Sequence, residues 1–256
     1  MRKARKSPNE MTFLEHLEEL RKRIFISFLV VLGGVVPGWF LSKKLYTVLT
    51  LPLTQILPEG TKLVFTRVTE PFLVYMKVAF FAAIFFTAPV LFYQVWRFVS
   101  PGLYKKEKRY VWPFVVFSTL FFSGGALFGY YIVFPWACRF FITIGSDFQS
   151  MIVINDFLNF TLKFLIGIAL VFEMPTLVFF LAKLGVVTAR GMVRKFKYAL
   201  LIIFIVAAII TPSPDVVSQV VLAVPMLGLY GLSIVIAWFV GRGKRKRERA
   251  EQEPAG

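Results

Sequence analysis

Ile24-Phe25-Ile26-Ser27-Phe28-Leu29-Val30-Val31-Leu32-Gly33-Gly34-Val35-Val36-Pro37-Gly38-Trp39-Phe40-Leu41 carries no charge, is entered from Arg21-Lys22-Arg23 and is left through Lys43-Lys44. At ~1.5 Å per helical residue it reaches about 27 Å, close to the ~30 Å of a bilayer's hydrocarbon core. A helix that is apolar all round lies in a large core or in lipid. The rest of the chain decides for lipid. Five further apolar segments follow at about 72–96, 110–134, 157–183, 198–211 and 216–240. Of the 256 residues 57% are hydrophobic, 30 are Phe, and the mean hydropathy is +0.71. The fifth segment has only about 14 residues, or ~21 Å, and the sixth is interrupted by Pro225. A short span of this kind thins the local bilayer or is shielded by its neighbours.

Charge sets the orientation. The formal net charge is +16, and the basic residues are confined to loops and ends. Arg2, Lys3, Arg5, Lys6, Arg21, Lys22 and Arg23 precede the first span. Arg97, Lys105, Lys106, Lys108 and Arg109 fill the second loop, and Lys183, Arg190, Arg194, Lys195 and Lys197 the fourth. Arg242, Lys244, Arg245, Lys246, Arg247 and Arg249 follow the last span. Together these are 23 of the 30 Lys and Arg, against Lys43, Lys44, Lys62, Arg67 and Arg139 on the other side. Lys77 and Lys163 lie near outer span ends and can snorkel. The positive side faces the cytoplasm, so six spans put both termini there. Residues 1–241 read as a single transmembrane domain and 242–256 as a charged tail expected to be disordered. The first outer loop, 42–71, with its β-prone Leu63-Val64-Phe65, reads as short elements over the bundle.

Several chemistries are excluded. Basic residues set between apolar spans do not make a nucleic-acid surface. Cys138 and His16 are the only residues of their kinds, so there is no intrachain disulfide and no Cys/His metal site. No phosphate loop, paired catalytic carboxylates or cofactor motif is present. Met1 to Arg23 is polar and basic, unlike a cleavable leader.

The remaining acids stand out. In Thr12-Phe13-Leu14-Glu15-His16-Leu17-Glu18-Glu19-Leu20-Arg21-Lys22-Arg23, Thr12 and Glu15 fit a capping box. Phe13, Leu17, Leu20 and Ile24 give the helix, about 12–23, an apolar face for the membrane surface. Glu18–Lys22 and Glu19–Arg23 are favourable i,i+4 pairs. Glu107 is the only acid of the second loop. Such acids either balance the surrounding bases or accept a cationic partner; carboxylates favour Arg, whose planar fork donates in parallel. Glu173, in Leu170-Val171-Phe172-Glu173-Met174-Pro175, falls near the middle of the fourth segment. There a carboxylate costs roughly 2.5–3.5 kcal/mol and is read first as functional; the alternative is a buried acid bonded to a neighbouring helix. Pro175 frees a carbonyl one turn back and kinks the helix. Asp215, after Thr211-Pro212-Ser213-Pro214, reads as the N-cap of the sixth helix, with Gln219 a turn further on.

His16-Leu17-Glu18-Glu19-Leu20-Arg21-Lys22-Arg23 resembles the N-terminal signature of the TatC family, the core subunit of the twin-arginine protein translocase. Leu51-Pro52-Leu53, Tyr93-Gln94-Val95-Trp96-Arg97-Phe98-Val99-Ser100-Pro101-Gly102-Leu103-Tyr104, Phe172-Glu173-Met174-Pro175 and Thr211-Pro212-Ser213-Pro214-Asp215-Val216-Val217-Ser218-Gln219 extend the resemblance from about Met11 to Gly241. It implies an all-α integral membrane fold of six helices in a cupped bundle, both ends cytoplasmic, in a bacterial or archaeal cytoplasmic membrane. It implies binding of twin-arginine signal peptides of folded cargo, driven by the proton motive force, with TatA- and TatB-type single-span partners and oligomerisation in the membrane. It assigns the arginine pair to Glu19 and Glu107, with Arg21 and Phe98 beside them, although Glu18 adjoins Glu19. It gives Glu173 a contact with a partner or inserted signal peptide, and Pro52, Asp215 and Gln219 outer-side structural or assembly roles.

Other classes remain to be weighed. A proton-coupled secondary transporter would use Glu173, but the chain lacks the internal repeat expected of one. An intramembrane enzyme lacks a nucleophile and base at membrane depth. A scaffold would need neither acid.

Overall fold

The computed structural model describes residues 13–57, 63–99, 111–148, 151–211 and 215–252, with side chains within those ranges from 14 to 243. Among them the elements are nearly all helical. In order they are α1 (Phe13–Thr54), α2 (Glu70–Val99), α3 (Val111–Phe128), a π segment (Gly129–Val133), α4 (Phe134–Ile144), α5 (Ile154–Val171), α6 (Met174–Leu184), α7 (Ala189–Arg194), α8 (Phe196–Ile210) and α9 (Val216–Gln252). The α3–π–α4 run is one apolar span, Val111–Ile144, and α5–α6 another, Ile154–Leu184. With α1, α2 and α9 these make five helices long and apolar enough to cross a membrane, and α8, at 15 residues, is the shorter apolar helix. The chain is an all-α integral membrane protein.

The ends of α1 and α9 and the reading of Pro225 differ from expectation for physical reasons, and the fourth segment goes from the expected kink to a full break. α1 does not stop at Leu41 but continues through Lys43 and Lys44 to Thr54, because lysine is a good helix former whose long stem reaches outward. The outer loop is correspondingly shorter, and Val64 bridges to Val153 within it, through Val64 N–H to Ile152 O (3.0 Å) and Ile154 N–H to Val64 O (2.8 Å). Pro225 does not interrupt the last helix: α9 runs through it and on to Gln252, into the charged segment. The fourth segment does break, where Pro175 has no N–H for the carbonyl of Val171, the last residue of α5.

The chain packs as two compact units. The first holds α1 to Thr47, α2, and α3 to Thr119. Helices in lipid gain nothing from hiding apolar surface from one another, so they meet through small residues. Gly34 and Gly38, one turn apart on α1, face Ala79, Ala83 and Thr87 of α2. A Cβ on Gly38 would lie 2.5 Å from the carbonyl oxygen of Ala79. Rings flank this seam, Trp39 with Phe72 and Tyr46 with Tyr75. Trp96 of α2 packs on Phe114 of α3, both buried.

The second unit holds Val48–Glu70 and the chain from Leu120 onward. Here Gly125 and Gly129 repeat the device against α5 and the turn that follows it: a Cβ on Gly125 would lie 2.6 Å from Phe172, and one on Gly129 3.2 Å from Ile168. Phe134 is fully buried among Phe157, Phe160 and Phe164. Three buried hydroxyls bond back one turn, Thr161 to Phe157 O (2.8 Å), Thr211 to Ala207 O (2.9 Å) and Ser233 to Leu229 O (2.7 Å), which satisfies them where no water is at hand.

Gly38→Val is expected to destabilise the protein by about 1–3 kcal/mol, because backbone must move to admit the side chain. Thermal unfolding of the detergent-solubilised protein measures this; an unchanged midpoint would show that α1 and α2 are not in such close contact.

Candidate functional site

His16, Glu19 and Arg23 are spaced three and four apart, so α1 presents them on one face. Gln94 and Phe98 are likewise four apart on α2. The two faces meet in the first unit. The His16 ring stacks on Phe98 with centroids 4.5 Å apart and planes at 23°. Arg23 donates Nε–H (2.7 Å) and Nη2–H (2.5 Å) to Oε1 of Glu19, and Nη1–H to Oε1 of Gln94 (3.0 Å). Gln94 is buried, while the side chains of Arg23 and Glu19 remain 11% and 21% exposed. The expected Glu19–Arg23 pair is therefore present and is anchored to a second helix, unlike an ordinary surface pair.

The arrangement separates the two adjacent acids. Glu18 is exposed, whereas Glu19 is half-buried against Arg23. Only Glu19 is thus held in a fixed orientation. Arg21 is exposed beside it, and Arg97, also exposed, donates to the hydroxyl of Tyr93 (3.0 Å). Glu107 and the Thr12–Glu15 capping box involve residues outside the described ones. The structure brings Glu19 and Phe98 to the same end of the α1–α2 pair through His16. Neither Gln94 nor His16 was assigned to this site from sequence, because their partners are distant along the chain.

In the second unit Glu173 sits at the break between α5 and α6 and is 7% exposed. Its backbone closes the turn: Glu173 N–H donates to Leu170 O (3.1 Å) and Leu177 N–H to Glu173 O (2.9 Å). Phe172 packs against Phe128 and Gly125, while Val171 and Phe172 border a small apolar cleft with Leu222 and Pro225. Sequence placed this acid at membrane depth, and burial within the protein is what that position demands.

Pro52 is buried inside the last turn of α1. Having no N–H, it leaves the carbonyl of Val48 without its helical donor. The hydroxyl of Tyr130 takes that place, donating to Val48 O at 2.6 Å. Asp215 caps α9 as expected, its Oδ1 accepting from Ser218 N–H (2.7 Å); Gln219 is half-buried one turn on. An acid that sequence reasoning missed lies nearby in the chain. Glu70, 6% exposed at the start of α2, accepts from Thr66 N–H (3.0 Å) and Oγ1–H (2.7 Å). Thr66 and Glu70 flank a polar turn before an apolar run, a signal that could have found it. Among the described residues no cluster of His, Cys, Asp or Glu could hold a metal ion.

The chain resembles known proteins both in sequence and in structure. The family profile described as Sec-independent protein translocase protein (TatC) matches residues 15–225. The chain is 44% identical over 246 residues to the Sec-independent protein translocase protein TatC of Koribacter versatilis, spanning 95% of this chain and 91% of that one. It is 37% identical over 249 residues to TatCy of Bacillus subtilis, spanning 96% of each. It also superposes on a crystal structure of a twin arginine translocase receptor, TatC, with a TM-score of 0.77 at 34% identity, covering 88% of this chain and 99% of that one.

The Tyr130–Val48 bond generates a double-mutant test. Tyr130→Phe is expected to cost about 0.5–1.5 kcal/mol, the range for losing one intramolecular hydrogen bond. Pro52→Ala restores the helical donor, so Tyr130→Phe should cost much less in that background. Equal losses of unfolding free energy in both backgrounds would contradict the compensation.

Proposed function

Because the chain belongs to the TatC family of Sec-independent protein translocase proteins, we propose that it is the subunit that receives twin-arginine signal peptides of folded cargo at the cytoplasmic membrane surface. It is a multi-pass membrane protein and a component of the twin-arginine translocase, not an enzyme. In our reading six helices cross the cytoplasmic membrane, both termini lie inside, and the short α8 thins the bilayer around it. TatA- and TatB-type single-span subunits join it, and the proton motive force drives transport.

The observation that carries the proposal is the Glu19–Arg23–Gln94 arrangement. Glu19 is fixed in the orientation in which it receives a planar guanidinium, and the guanidinium it now holds belongs to the same chain. An arginine approaching so basic a rim is repelled unless a carboxylate reverses the field locally. Glu19 does so, and Glu107 supplies the second carboxylate. Arginine of the peptide exchanges with Arg23 at Glu19, while Gln94 keeps Arg23 from losing all its acceptors during the exchange. Lysine offers a point charge where arginine offers a fork, so charge alone does not satisfy the site. Arg21 and Phe98 border the bound pair, the first by limiting where a cation settles, the second by backing it with a ring that His16 holds in place. Glu173 meets the inserted peptide or a partner helix, and Pro52, Asp215 and Gln219 serve outer-side assembly.

Two measurements test this. Binding of a signal peptide to the purified protein should fall roughly ten- to hundredfold in Glu19→Gln, the value of a charge-assisted bond. The preference for Arg-Arg over Lys-Lys should shrink in the same variant; a preference that stays the same would remove Glu19 from the site. Glu107→Lys should abolish export while the protein still inserts, and normal export in that variant would contradict the second contact.

A further inference from the structure

At one end of the second unit α7 lies against α9. Met192 is buried with Val178, Ala182 and Ala237, and its carbonyl accepts from the hydroxyl of Tyr230 (2.9 Å). α7 is therefore fixed to the body of the unit and not a loose connection. Its outward side and the facing side of α9 leave a groove of about 760 Å³. Arg190 and Arg194, one turn apart on α7, form one edge; Ile234, Val235, Trp238 and Phe239 form the apolar wall.

Three features define what would fill this groove. Its wall is apolar and open: Val235, Trp238 and Phe239 are 49%, 48% and 64% exposed. Its polar edge is cationic without an acid among the lining residues. Arg242 adds a third guanidinium, 5.0 Å from the centroid of the Trp238 ring. Depth agrees with this. Trp238 is 22 residues beyond Val216, the start of α9, which at 1.5 Å per residue is about 33 Å, one hydrocarbon thickness. The arginines thus lie at headgroup level and the wall beneath them at chain level, with the tryptophan at the interface, where this side chain is favoured.

We propose that this groove is a binding site for an anionic phospholipid, its phosphate held by Arg190 and Arg194 and its acyl chain laid along Val235, Trp238 and Phe239. A zwitterionic lipid matches the wall but brings its own cation to three guanidinium groups. A phosphate without chains matches the edge but leaves the wall bare. An anionic lipid satisfies both. The site shares no residue with the one proposed around Glu19 and rests on the proposed orientation only for which leaflet supplies the lipid.

Lipid titration of the delipidated, detergent-solubilised full chain, read by native mass spectrometry, tests the proposal. Phosphatidylglycerol should bind at least tenfold more tightly than phosphatidylcholine of the same chains. Arg190→Gln with Arg194→Gln should weaken phosphatidylglycerol about tenfold or more, since each cation near an anionic headgroup contributes roughly a fivefold gain. Lys43→Gln with Lys44→Gln, which removes the same charge outside the groove, should leave binding unchanged. Independently of those variants, phosphatidylglycerol with brominated chains should quench a part of the fluorescence that Trp238→Phe eliminates. Equal binding of the two lipids, no loss in the double arginine variant, displacement by glycerol 3-phosphate alone, occupancy by a second copy of the chain, or quenching undiminished by Trp238→Phe would each overturn it.

Discussion

A polar group carried into hydrocarbon must be satisfied by the protein itself, because no water is available to do it. Much of this structure follows from that constraint. Pro52 frees a carbonyl, and Tyr130 reaches across to take it. Pro175 frees another, and the chain stops one helix and starts the next, burying Glu173 at the junction. Gln94 is buried on α2 and is met by Arg23 of α1, which donates twice more to Glu19. At Val48 and at Gln94 the group that provides the partner also fixes two segments of chain against each other.

The same constraint makes the proposed recognition site rigid. A carboxylate on a free surface helix samples many rotamers, and its pairing with a nearby base contributes little. Glu19 differs because Arg23 is itself held from α2 and because His16 stacks on Phe98 a turn away. Under the proposed function the resident guanidinium does two jobs. It keeps the carboxylate oriented when no peptide is bound, and it sets a threshold that a weakly matched cation does not cross. Selectivity for arginine then comes from replacing like with like, a fork for a fork.

Much of this was legible in sequence. Apolar runs between basic clusters gave the spans, since lipid demands both. The short α8, the cap by Asp215, the break at Pro175 and the Glu19–Arg23 pair all follow from local spacing and local chemistry. What was not legible is of two kinds. α1 and α9 extend past their apolar stretches, because helix formation tolerates lysine and arginine where hydropathy changes sign, and α9 also runs through Pro225. The partners of Gln94, Phe98 and Tyr130 lie 71, 82 and 82 residues away in the chain, and no periodicity reports such distances. Glycine contacts fall between these cases: Gly34 and Gly38 are visibly one turn apart, but only the structure says that Ala79 and Ala83 face them.

The most direct test of the account is a structure of the protein with a twin-arginine signal peptide bound. The account requires a peptide guanidinium within hydrogen-bonding distance of Glu19, about 2.7–2.9 Å for a charge-assisted pair, with Arg23 displaced from that carboxylate and still bonded to Gln94. A bound peptide whose arginines lie elsewhere, with the Glu19–Arg23 pair undisturbed, would contradict it.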